Sequence, residues 1–364
     1  MQVERLRELA LSLCVYVSLA LSATLQFTFG PEAVLQPAGF YLAPDDKQDP
    51  DFRSWYQDVG ALRMQPKANA ALQSPQLWKF TSVWVDAGYY ARQVTRPTDS
   101  GPPYKYRVLP TLIVAGLRAL TGLSVESTFA LFNALVTVLT ACIFETYLRS
   151  HLAFGRLSAV LGGCLFVTGV SNTGTVAFPM LEPAASLCSC LIFMAVASGH
   201  ALGFALAALA GVATKEVLIF AAPLWWLAAP KQALSPLARA ALAGVPVLGL
   251  LALRFMLGGP LLQVNYGYDL MAGDFPAYWQ RLFRLRSLLG VCAQVFLAFS
   301  FLWLGVFAAL QHPFLRRCLP VVPLTIVAAL LLSNRITRVL GVLFPVVVPG
   351  FMLLFQREPR ESNR

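Results

Sequence analysis

The sequence predicts an all-α fold: a polytopic transmembrane helix bundle of about ten spans, with a large first extracytoplasmic loop containing short interfacial helices. Three observations predict it. The 364 residues are 57% hydrophobic and 13% charged, about half the charge of an average soluble domain. The apolar residues fall in long blocks, and the basic residues sit between those blocks. Only one polar region, roughly residues 30–107, is long enough to form a soluble element.

The first block, residues 9–29, lies inside "MQVERLRELALSLCVYVSLALSATLQF". Its "ALSA" resembles a cleavage site, but the block reaches the roughly 20 residues a bilayer needs and exceeds a signal-peptide core. Residues 1–30 are therefore expected to be a retained first transmembrane helix. Residues 31–126 form the extracytoplasmic loop with its interfacial or re-entrant helices. The later blocks are 127–148, 157–170, 182–198, 201–213, 217–229, 236–257, 287–310, 319–332 and 339–355. Residues 127–355 are thus the transmembrane bundle and 356–364 a cytoplasmic tail.

Block 108–121 is short, contains Pro110 near its start and carries Arg118. Charge alternation decides its place. If it lies at the membrane surface, Arg5 with Arg7, Arg149 with Arg156, Lys231 with Arg239, Arg316 with Arg317 and Arg357 with Arg360 all face the cytoplasm. Counted as a full span, it would put every pair after the first outside. Both termini are accordingly expected in the cytoplasm, and the compact, integral, multi-pass chain points to a bacterial plasma membrane.

The formal charge of +10 would suggest nucleic acid in a soluble protein. Here the cations sit where cytoplasmic loops and anionic membrane lipids account for them, so no nucleic-acid partner is expected. The seven cysteines lie in or beside apolar segments, and the C-x-C of Cys188 and Cys190 has no second pair or nearby histidine to complete a metal set. They read as small buried hydrophobes.

The same topology sorts the unusual polar residues. "VWVDAGYYARQV", "SNTGTVAFPMLEP", the "TKE" break, "NYGYDLMAGDFPAYW" and "SNRITR" all fall on the outer side, whereas His151, His200 and His312 fall on the inner one. An outer site must therefore work with carboxylates, tyrosines and basic groups. Asp86, Tyr89 and Tyr90 follow an aromatic stretch, and helical spacing puts Asp86 and Tyr90 on one face. A solvated acid in an interfacial aromatic belt explains them equally, and Asp45, Asp46, Asp49, Asp51 and Asp58 are rivals for any role. Glu182 before Pro183 suits ordinary helix capping as well as a site at the membrane edge. Lys215 and Glu216 interrupt an apolar run, either pairing across a turn or marking a site. Arg335 and Arg338 sit outside, where the positive-inside bias does not explain them, and suit a phosphate or an anionic headgroup.

An acid followed by tyrosines in the first outer loop, "YRVLP" opening a short apolar helix, then "GLS", an acid heading a later span, "TKE" and a late "R...L..P" resemble the GT-C superfamily of integral-membrane glycosyltransferases. The resemblance runs from Met1 to about Gly350 and lies in layout and short degenerate motifs. It implies an outer-face active site, a polyprenyl-phosphate-linked sugar donor, a lipid, glycan or protein acceptor, and an essential loop acid. Asp86 matches that acid as catalytic base, Arg107 and Pro110 match the basic and proline positions of the next helix, and Arg335 and Arg338 match the late arginines near the lipid phosphate. Tyr89, Tyr90, Glu182, Lys215 and Glu216 complete the expected substrate-binding set, with Tyr104, Tyr106, Tyr266 and Tyr268 as further subsite candidates. Many members carry two adjacent acids where this chain has "VDAG", which weakens a metal-dependent reading; a divalent metal stays open as the cofactor, with no metal ligand assigned. Many also carry a soluble C-terminal domain, and this sequence stops soon after its last block.

Two alternatives from other classes remain. A transporter or lipid flippase would show internal repeats and polar groups near mid-membrane, and neither is evident in the sequence. A non-catalytic subunit on the same scaffold accords with the missing second acid. Membrane O-acyl transfer fits less well, because its usual intramembrane histidine is poorly met by three histidines on the cytoplasmic side.

Overall fold

The computed structural model describes residues 2–29, 90–91, 93–94, 104–172, 180–230, 234–258, 285–332 and 336–356. Among them every regular element is a helix and none is a strand. The chain divides into two compact units, Met1–Leu139 with Val170–Ala184, and Thr140–Gly169 with Ala185–Arg364.

Unit one holds α1 (Gln2–Phe29), the 3-10 turn Tyr104–Tyr106, α2 (Val108–Thr121) and the first half of α3 (Val125–His151). Ser12, Tyr16 and Ala20, spaced by four, are buried along one stripe of α1, while Leu9, Leu11, Leu13, Val15, Val17 and Leu21 stay exposed. An apolar face turned outward is what a helix bathed in lipid needs. In α2, Pro110, Thr111 and Val114 form the buried face, and Leu112, Ile113 and Leu120 are exposed. Gly122 ends it in the left-handed region, φ 67°, with its N–H donating to the Arg118 carbonyl at 2.9 Å.

Unit two takes the rest of α3, most of α4 (Arg156–Asn172), α5 (Glu182–Ser198) beyond its head, and α6 (Ala201–Thr214). The 3-10 segment Glu216–Ala221, α7 (Ala222–Ala228), α8 (Pro236–Met256) and α9 (Leu285–Phe299) follow. The chain continues through α10 (Leu304–Ala308), α11 (Pro313–Cys318), α12 (Val321–Leu332), α13 (Ile336–Leu340) and α14 (Phe344–Leu353).

Among the described residues, three helical segments are long and apolar enough to cross a membrane: Ser127–His151, Pro236–Met256 and Leu289–Gln311, of 25, 21 and 23 residues. α1 has 28 residues, of which Glu8–Leu21 counts as a shorter apolar segment, and the remaining shorter apolar segments among the described residues have 10–17 residues. Helices occupy the expected places, and three of their apolar segments reach spanning length among the described residues. An apolar run does not guarantee an unbroken helix.

Residues 201–229 show this. α6 ends where Lys215 turns extended, φ −159° and ψ 122°, and the chain returns through Glu216–Ala221 and α7. Phe204 packs against Trp225 with tilted rings 5.0 Å apart at their centroids, and a Cβ on Gly199 would lie 3.4 Å from Pro230 Cγ. The two legs thus form a hairpin, each about 21–22 Å long by helical rise, against a hydrocarbon core of about 30 Å. His200 starts the first leg, its Nδ1 accepting from the Gly203 N–H at 2.9 Å.

Block 287–310 holds a segment of spanning length whose helical geometry changes partway. After α9, Ser300 adopts φ 49° and the chain tightens into the 3-10 turn Ser300–Trp303. The Trp303 indole donates to the Val295 carbonyl at 2.7 Å, satisfying a group close to the break.

α10 and α14 cross at glycines. A Cβ on Gly305 would strike the backbone of Val347 and Phe351, and one on Gly350 would strike Gly305 itself. Small residues permit this backbone contact, a common way to join helices where lipid offers no hydrophobic drive. α14 also contains Pro349, which cannot donate to the carbonyl of Pro345 four residues back. The Tyr147 hydroxyl donates there instead, at 3.2 Å, and the Ser189 hydroxyl donates to Val342 at 2.6 Å. Tyr147→Phe is expected to destabilise the protein by about 1–2 kcal/mol, seen as a lower thermal midpoint in detergent. An unchanged midpoint would show that the Pro345 carbonyl has another donor.

Candidate functional site

In unit one the local chain course positions the basic candidate of the "YRVLP" motif. Pro110 sits in the first turn of α2, where its missing N–H costs nothing, so Arg107 becomes the residue at the helix cap. Thr111 ties that turn down, its hydroxyl donating to the Val108 carbonyl at 3.0 Å. Arg107 is buried, 5% exposed, and its Nη1 donates to the Tyr90 hydroxyl at 2.5 Å. Two candidates seventeen residues apart are thus brought into one buried contact. Tyr106 beside them is also buried, with the Lys105 ammonium 5.2 Å from its ring centroid. Glu182, the first residue of α5, belongs to the same unit and is 9% exposed.

In unit two the hairpin tip carries Lys215 and Glu216, 7% and 5% exposed. Lys215 Nζ donates to the Arg338 backbone carbonyl at 3.4 Å, which brings the "TKE" break next to the start of α13. The 3-10 segment after Glu216 packs on α12 and on α8, so the tip is enclosed by helices.

The structure therefore groups Tyr90 with Arg107 and Lys215 with Arg338, and buries Glu182 and Glu216. Asp86, Tyr89 and Arg335, and the acids at 45–58, lie outside the described residues. Among the described residues no group of three His, Cys, Asp or Glu is arranged to hold a metal ion.

Several buried polar residues escaped the reading of the sequence. Gln93, Asn133, Thr137 and Thr140 are each at most 3% exposed, and among the described residues the Gln93 Oε1 and Thr137 Oγ1 have no hydrogen-bond partner. Asn133, Thr137 and Thr140 share one face of α3 at spacings of four and three. That spacing is readable in the sequence, but it is masked there by the apolar residues around it. Glu145, 7% exposed, lies 3.6 Å from Arg149 one turn later on the same helix. Compared with family models, with curated proteins and with solved structures, the chain matches none.

Proposed function

We propose that the chain is a membrane glycosyltransferase of the GT-C type, moving a sugar from a polyprenyl-phosphate donor to an acceptor on the extracytoplasmic face. The observation that carries this reading is the burial of Arg107, Glu182, Lys215 and Glu216, ionisable side chains that a helix bundle in lipid excludes unless they serve a purpose. The topology that goes with it has about ten spans, counting the short helices, with both termini in the cytoplasm and residues 31–126 outside a bacterial plasma membrane.

The chemistry suits this inventory. The acceptor hydroxyl oxygen attacks the anomeric carbon, and its proton passes to the Asp86 carboxylate. The bond from that carbon to the phosphate oxygen breaks, and the electron pair leaves with the polyprenyl phosphate. Arg335, Arg338, Lys215 and Arg107 stabilise the departing charge. A phosphate is already a good leaving group, so the second, acidic carboxylate of glycoside hydrolases is not required. Tyr89, Tyr90 and Glu182 then hold sugar or acceptor hydroxyls, and Glu216 tempers the positive charge beside Lys215.

A second reading draws on α3. Asn133, Thr137 and Thr140 are buried along a spanning helix, as the path of a transporter or flippase would require. The two readings part on binding and turnover. Purified protein in lipid is expected to bind polyprenyl phosphate saturably, and Arg335→Ala and Arg338→Ala are each expected to weaken that binding about tenfold. Absence of binding by folded wild-type protein would refute the lipid-linked donor and leave the transporter or the non-catalytic subunit.

A further inference from the structure

The three segments of spanning length share one boundary in unit two. Ser127–His151 and Leu289–Gln311 end there, and Pro236–Met256 begins there. Ring contacts and a hydrogen bond place these ends together. The Tyr147 ring, one turn before the end of α3, has its centroid 6.3 Å from that of His151 and 6.4 Å from that of Phe314 in α11. α11 packs in turn on α7, and Arg239 in the first turn of α8 donates from Nη2 to the Trp226 carbonyl near the end of α7, at 2.8 Å. Spanning helices that end side by side mark the level where hydrocarbon gives way to headgroups.

α11 lies at that level as a short ledge. It starts directly after Gln311, where the His312 Nδ1 accepts from the Leu315 N–H at 3.5 Å and Pro313 takes the first helical position. Leu315 and Cys318 turn inward, whereas Arg316 and Arg317 are exposed. Beside the ledge, the Arg239 guanidinium carbon lies 5.6 Å from the centroid of the Trp226 ring, and Trp226 is 49% exposed. A half-exposed tryptophan suits the headgroup level, with its ring toward hydrocarbon and its N–H toward polar groups. On the membrane side of the arginines the surface is apolar and open, with Phe307 70%, Leu310 53% and Leu237 82% exposed. Cations above and hydrocarbon below are the two halves of what a phospholipid presents.

We infer that Arg316 and Arg317 of α11 bind the phosphate of an anionic phospholipid in the leaflet that this boundary meets, with Trp226 alongside at the headgroup level. Charge alternation assigns this end to the cytoplasm, so the leaflet is the inner one. The inference is independent of the sugar-transfer reading and of the residues that carry it. A zwitterionic headgroup brings its own cation, so a lipid of net negative charge is favoured over phosphatidylcholine. A guanidinium offers two parallel N–H groups to phosphate oxygens, whereas an ammonium is a point charge, so lysine should replace these arginines only in part.

The test uses the full chain, purified in detergent and given phosphatidylglycerol and phosphatidylcholine of matched chains, with bound lipid counted by native mass spectrometry. Wild type is expected to retain phosphatidylglycerol in preference. The paired change Arg316→Gln with Arg317→Gln should lower that affinity about tenfold and leave phosphatidylcholine unaffected, with the paired lysine variant in between. Both side chains are exposed, so the thermal midpoint in phosphatidylcholine should match wild type. Undiminished retention of phosphatidylglycerol by the folded glutamine pair would overturn the site. An equal loss in Lys105→Gln, in unit one, would show a general response to net charge and overturn it too. Wild-type affinity in the lysine pair would overturn capture through the guanidinium fork. Displacement by inorganic phosphate at equal concentration would overturn a membrane lipid as the occupant.

Discussion

Gly305→Ala is expected to destabilise unit two by at least about 3 kcal/mol, enough to cost most of the folded protein in detergent. The added methyl has nowhere to go. It would meet the backbone of Val347 and Phe351, on the same face of α14 whose Gly350 already abuts Gly305. A flexible side chain can turn aside, but a helix backbone moves only as a whole, so α10 and α14 would have to separate. That separation would also disturb the bond from Tyr147 to Pro345 in α14. A matched control is Gly116→Ala in α2, where nothing lies within 4 Å of the new Cβ. It should be neutral or slightly stabilising, since alanine is the better helix former. Equal thermal midpoints for the two variants would show that the α10–α14 crossing can relax.

The second large effect is on chemistry. Lys215→Met keeps the length and apolar stem of the side chain while removing its charge and its bond to the Arg338 carbonyl. If the hairpin tip holds the departing phosphate, sugar transfer should fall about a hundredfold, the usual loss when one stabilising group is removed from a developing anion. The fold should persist, because a buried methionine replaces a buried cation without leaving a cavity. The loss should appear in turnover more than in donor binding, since the charge on the leaving oxygen grows only as the bond breaks. Near-normal transfer by a folded Lys215→Met variant would remove the hairpin tip from the reaction.

Much of the helical layout was legible because apolar blocks and their punctuation are local. Residues 182–198 coincide with α5, 201–213 fall one residue short of α6, and 236–257 overrun α8 by one. Gly122 and Pro110 mark the bounds of α2 as their backbone preferences require. What hydropathy cannot register is continuity and depth. The break at Lys215 was legible as "TKE" between two blocks, but the positive φ of Ser300 falls inside a block that reads as a single run, and the glycines at 305 and 350 matter only because their helices cross there. The contact of Arg107 with Tyr90 depends on how intervening chain returns, which composition does not encode.

The most direct test of the proposed transfer is to give wild-type protein in proteoliposomes a panel of polyprenyl-phosphate sugars, with acceptor extracts, and to follow release of free polyprenyl phosphate. Transfer with at least one donor, abolished in a folded Asp86→Asn variant, is the predicted result. Release that persists unchanged in Asp86→Asn would contradict the role of Asp86 as base, and no release from any donor by protein that binds polyprenyl phosphate would contradict catalysis itself.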